Sequence, residues 1–240
     1  MAESLPIGQP PLSPWRMGWV AARANLIPGL ILQAVAISLL LAYYNSAAVA
    51  GWLQEVGNLK RQWGFLYTAI SASVFCGLIP WLFRMALPPL RPRRIVGELV
   101  FGMVYWGLIC MVADSFYQVQ AWLWDSIQGV QDANDWYVVA IKTACDMLIF
   151  TPIIAAPCNS ISHLWKEKDF SFKALSEALR GRWYHSIVLP NLVPNWMVWT
   201  PGIAVTYSLP SLLQLPMANL IGCFWALLCI TIAAGGKTKK

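Results

Sequence analysis

Six stretches of this chain are each close to the length and apolarity of a helix that crosses a bilayer, and nothing else restricts its fold as strongly. A hydrocarbon core about 30 Å thick takes roughly 20 apolar residues of helix. The stretches fall at about 27–50, 63–86, 96–121, 137–160, 186–208 and 211–234. Composition agrees: 58% of residues are hydrophobic and 12% charged, against about 25% charged in a soluble domain. The expected fold is all-α, a polytopic transmembrane bundle of about six spans. It forms one domain over 26–235, with an N-terminal lead-in at 1–25 and a basic tail at 236–240. The proline-rich opening MAESLPIGQPPLSP reads as disordered or extended.

Basic residues orient such a bundle, because the loops on the cytoplasmic side carry the excess of Lys and Arg. Of the seventeen, fourteen fall on one side of the six spans and two, Lys60 and Arg61, on the other; the last, Lys142, lies inside span four. Both termini are therefore expected on the basic side. The net charge of +6 is an orientation signal, and a nucleic-acid partner is not expected. The basic segment 163–185 between spans four and five has Phe172, Leu175 and Leu179 at helical spacing, which predicts a short interfacial helix capped by Asp169 or Ser171.

The six cysteines all sit in apolar spans with no C-x-x-C pair, so they read as packing residues, and no metal or cofactor site is expected. Ala69, Ser73 and Gly77 form a small-residue stripe that lets another helix approach. Neither H-E-x-x-H nor G-x-S-x-G is present, and both histidines, His163 and His185, lie at span boundaries, so enzymatic activity is not expected.

The chemistry concentrates in KTACDMLIFTP, residues 142–152, where a cation and an anion share a membrane helix. Such groups cost several kcal/mol unless they pair or face a wet path. At about 1.5 Å per residue, Asp114 lies roughly 10 Å from the outer end of span three, and Lys142 and Asp146 roughly 8 and 14 Å down span four. The three are thus expected in one layer, with Lys142 reaching Asp146 at i, i+4 or Asp114 across the loop. Asp114, Tyr117, Gln118 and Asp125 share one helical arc leading to Asp132 and Asp135 in the outer loop. That arc predicts a hydrated path opening outward, with an ion-paired clamp between spans three and four as the other reading. Prolines 152, 157, 190, 194, 201, 210 and 216 each remove a backbone donor, and Asn191 and Asn195 are candidates to satisfy the freed carbonyls.

Lys142, Asp146, Phe150 and Pro152, followed by Trp183-Tyr184, Trp199 with Pro201, Tyr207 with Leu209-Pro210, and Trp225, resemble the Mpv-seventeen and twenty-two-kilodalton peroxisomal membrane protein family over about residues 136–230. Residues 77–89 resemble an earlier family segment more loosely. The chain departs from the family pattern at Gln214, Ala226 and Met147, has one residue extra between Trp199 and Pro201, and lacks the glycine-aspartate of the family's first span. Span three is an insertion relative to the short eukaryotic members, so Asp114 inherits no role. The resemblance implies a divergent membrane protein that conducts small solutes or ions. The alternative is a non-transporting assembly factor in which Lys142 and Asp146 clamp helices. The bilayer, small solutes and further copies of the chain are the expected partners. A bacterial inner membrane is the expected location, with a mitochondrial inner or peroxisomal membrane as the alternative.

Overall fold

The computed structural model describes residues 13–238, so the opening residues 1–12, expected to be extended, lie outside the described part. Within it the chain is an all-α bundle, without a strand among the described residues. The helices are α1 (Pro14–Ala24), α2 (Leu26–Asn45), α3 (Ala47–Trp63), α4 (Phe65–Ala86), α5 (Ile95–Gln128), α6 (Trp136–Glu167), α7 (Phe172–Ala178), α8 (Leu189–Tyr207) and α9 (Ser211–Thr238). The lead-in is thus helical over its second half, and Gly18 explains how α1 packs. A Cβ there would lie 3.0 Å from the Pro190 carbonyl oxygen, so the glycine lets α1 lie directly on α8.

Five described helices, α2, α4, α5, α6 and α9, are long and apolar enough to cross a membrane. The sixth expected span corresponds to α8, whose 19 residues extend about 28 Å. Asn191, Asn195 and three prolines lower its hydropathy. It needs no lipid-facing apolar surface, because α1, α2, α6 and α9 pack around it. Leu192, Val198 and Tyr207 on it are fully enclosed. By contrast α5 presents Val100, Val104, Leu108 and Val112 outward, as a helix facing lipid does.

The first span is shorter than its apolar run. Ser46 breaks it and caps α3, its Oγ accepting from the Val49 N–H at 3.4 Å. Gly64, at φ +52°, ends α3 and turns the chain into α4. Along α4 the small-residue stripe packs as expected. A Cβ on Gly77 would sit 3.0 Å from the backbone of Gly102 and Met103, and one on Gly107 2.8 Å from Ser73 Oγ. Ser73 Oγ also donates to the Met103 carbonyl at 2.7 Å. The interfacial helix is α7, capped by Ser171, whose Oγ accepts from the Ala174 N–H; Asp169 instead ion-pairs with Arg94 at 3.4 Å.

Candidate solute path

The three charges expected to cluster are separated. Asp114 binds Lys60, and its second oxygen accepts from Thr68 Oγ1 at 2.7 Å. Lys60 reads from the sequence as an outer-loop cation, but α3 folds back over the bundle and buries it. An ion pair with its remaining lone pairs satisfied is what burial of two charges requires. This pair closes on itself beside α3 and α4, and Asp114 is not among the residues that line the two cavities described below.

Lys142 pairs with neither Asp146 nor Asp114. Its Nζ donates to the Ala133 carbonyl oxygen at 2.9 Å. Equal depth was not sufficient, because direction decides contact: the long lysine stem extends toward the outer loop, as cationic side chains near a helix end do. The loop is stitched around it. Asp125 accepts from the backbone N–H groups of Asp132 and Ala133, at 3.2 and 2.9 Å, and Asp132 accepts from the Ser211 N–H at 2.7 Å. Of the acidic residues expected at an outer mouth, Asp125 and Asp132 therefore bind backbone N–H groups, while Asp135 stands at the start of α6 without a side-chain cap bond. Gln118 is exposed on the outside of α5, away from the interior.

Asp146 is buried and held by hydroxyls: Tyr207 donates to Oδ2 at 3.0 Å and Thr151 to Oδ1 at 3.4 Å. The Tyr207 oxygen in turn accepts from Gln120 Nε2, and Tyr117 packs edge-on against the Tyr207 ring at 5.2 Å. Gln120 belongs to this network and lies off the arc that drew attention to Gln118. Its signal in the sequence was simply an amide in an apolar run, two residues further on.

Below Asp146 the backbone of α6 widens into a π-helix over Asp146–Ala155, and this accounts for its prolines. In π geometry each N–H bonds the carbonyl five residues back. Pro152 and Pro157 lack that N–H, which orphans the carbonyls of Met147 and Pro152. Both carbonyls are taken by ring donors from the α8 segment. Trp196 Nε1 donates to Met147 at 2.8 Å and the Tyr184 hydroxyl to Pro152 at 2.8 Å. The asparagines expected in this role do other things: Asn191 donates to the Ile187 carbonyl at 2.8 Å, and Asn195 Oδ1 has no hydrogen-bond partner among the described residues.

Asn195 faces a cavity of about 680 Å³ ringed by α4, α5, α6, α8 and α9, each in contact with the next. Its lining takes in Arg84, Glu98, Lys166 and Glu167 from the basic segments and none of Asp125, Asp132 or Asp135, contrary to the outward opening that the acidic arc predicts. At its mouth Glu98 accepts from Arg84 at 2.7 Å and lies 3.8 Å from Lys166. Cys76, Trp199 and Gly222 line both this cavity and a second one, and we call this junction the neck; a Cβ on Gly222 would lie 3.3 Å from Cys76 Sγ and 3.6 Å from the Trp199 ring. Beyond this neck is a chamber of about 140 Å³ that ends on Asp146.

Over 133 residues the chain is 26% identical to "Protein SYM1" of Kluyveromyces lactis. The match takes in 55% of this chain and spans about three fifths, 61%, of that relative's length. It is a distant likeness of the Mpv-seventeen type. No family profile matches the chain, and no solved structure matches it.

Some of the residues that carried the resemblance lie at the cavity, whereas Lys142 and Trp183 do not line it. Phe150 and Trp199 line its deep chamber and Trp225 the wider part, while Tyr207 holds Asp146 and Pro152 sets the π-helical segment. Pro201 lies inside α8, and Pro210 opens the turn into α9, where its carbonyl accepts from the Leu213 N–H at 2.8 Å. Gln214, at a position of departure, is buried and donates to the Leu209 carbonyl at 3.1 Å.

Proposed function

We propose that this multi-pass membrane protein is a channel or pore-like conduit for small solutes, with the five-helix cavity as the half of its path on the basic face. The observation that carries this reading is the cavity itself: a space lined by five helices whose deeper chamber includes a buried carboxylate. Intramembrane carboxylates usually mark solute or ion paths, and irregular backbone at membrane depth is tolerated where it lines such a space. The π-helical segment of α6 does so here. The stitched loop around Lys142 and Ala133 is then the closed outer end. Both termini face the cytoplasm or its equivalent, in a bacterial inner membrane.

Purified protein in planar bilayers is expected to give discrete conductance steps. Gly222→Trp, which fills the neck, is expected to abolish or sharply reduce them, and Asp146→Asn to change their ion selectivity. Traces identical to wild type in both variants would remove the cavity from the path. The second reading, a non-transporting assembly factor, is favoured by one observation, the sealed outer end. Its clamp would be Lys60 with Asp114, since Lys142 and Asp146 do not meet. It predicts no flux in liposomes under any condition.

A further inference from the structure

Resting on the reading of the cavity as a solute path, we propose that the chamber beyond the neck binds an organic monocation, with its ammonium group against Asp146. A buried carboxylate takes a proton or a counter-charge. Asp114 has Lys60. Asp146 receives two hydroxyl donors, Tyr207 and Thr151, and among the described residues no Lys, Arg or His lies within ion-pairing distance of it. A carboxylate has about four lone-pair positions, so two donors leave room for a further partner. Lys142, one turn away, is engaged with the Ala133 carbonyl on the side toward the outer loop. Any counter-charge for Asp146 therefore arrives through the cavity.

The walls select which kind of cation. A small inorganic ion such as Ca²⁺ needs a shell of six to eight oxygens. This chamber offers rings instead: Tyr105, Trp106, Tyr117, Phe150 and Trp199 line it together with Asp146. Aromatic faces attract an alkylated ammonium through their negative quadrupole and substitute for its weak hydration, which is the chemistry of aromatic cages. At about 140 Å³, the chamber holds about five water-sized groups of ~30 Å³ each. Tetramethylammonium has that many heavy atoms. The mouth does not oppose such a ligand, because Arg84 and Lys166 there are balanced by Glu98 and Glu167.

The test uses the full chain in lipid nanodiscs, titrated calorimetrically at constant ionic strength with tetramethylammonium and, separately, with uncharged neopentyl alcohol. Saturable binding of the cation and none of the alcohol is expected. Asp146→Asn, which keeps an acceptor for Tyr207, and Trp106→Leu are each expected to raise Kd roughly tenfold or more. Asp146→Glu, which restores the charge, is expected to bind. Equal binding of the two probes, an unchanged Kd in Asp146→Asn, or no binding to the wild-type protein overturns the proposal. Binding is read without a second compartment, so the two readings separate. A protein that binds the cation yet passes no current overturns the conduit alone, and one that conducts without binding it overturns the organic cation alone.

Discussion

Two lysines inside the bundle do different work, and substitution distinguishes them. Lys60→Met leaves the Asp114 carboxylate buried and without its cation, which is expected to cost about 3–5 kcal/mol of stability. The double variant Lys60→Met, Asp114→Leu is expected to recover much of that loss, because two apolar groups need no partner. Lys142→Met removes a charged donor from one carbonyl and is expected to cost about 1–3 kcal/mol. Thermal unfolding of the three variants in detergent checks the order; a Lys142→Met cost above that of Lys60→Met would reverse the assignment. The sequence marked Lys142, Asp146 and Asp114 as exceptional, because a charge in an apolar run is visible in one dimension. It did not identify their partners. Lys60 lies 54 positions from Asp114 in the chain, and only the fold of α3 brings them together.

At the scale of the helix, prolines alone are ambiguous, since a kink for packing and a break beside a cavity look the same in a sequence. The π-helical register resolves this: the carbonyls five residues before Pro152 and Pro157 are the two that Trp196 and Tyr184 serve. Trp196→Phe is therefore expected to destabilise the protein by about 1–3 kcal/mol, the cost of a buried unpaired carbonyl. Pro152→Ala restores an N–H to the same helix, so in the combined variant the loss from Trp196→Phe is expected to shrink. A double-mutant cycle on unfolding free energies measures that coupling, and additive losses would mean that Trp196 acts through packing alone. Helix α8 was legible as an apolar stretch, but its hydropathy is lower than that of the other spans, because its surroundings are protein and its apolar demand is correspondingly lower. The break at Ser46 was hidden inside a continuous apolar run. The small-residue stripe on α4, by contrast, was legible in full, since close helix approach needs a repeat of small side chains and leaves it in the sequence.

For the whole molecule, the proposed path is asymmetric: its wide part holds Arg84, Glu98 and Lys166, and at the other end Asp125 and Asp132 bind the loop backbone. In a variant whose native cysteines are replaced by serine, Asn195→Cys is expected to react with a membrane-impermeant thiol reagent added to the basic face and to be protected from the opposite face. Labelling from both sides at equal rates would contradict the closed outer end. The all-α class followed from composition, because an apolar solvent leaves few ways to satisfy a backbone. The direction in which the cavity opens did not follow. The sequence showed acidic residues near the outer end, and two of these, Asp125 and Asp132, proved to bind backbone N–H groups, a use that composition does not distinguish from lining a path.

The two ring donors from the α8 segment have a mechanical consequence. Tyr184 and Trp196 grip α6 at two carbonyls five residues apart, and two pins along one pair of rods prevent both sliding and twisting. Helix α6 and the segment from Tyr184 through α8 are then expected to move together. Any rearrangement of the cavity is then expected to fall to the opposite wall, where α4 and α5 meet along glycine and serine and Ser73 bonds the Met103 carbonyl.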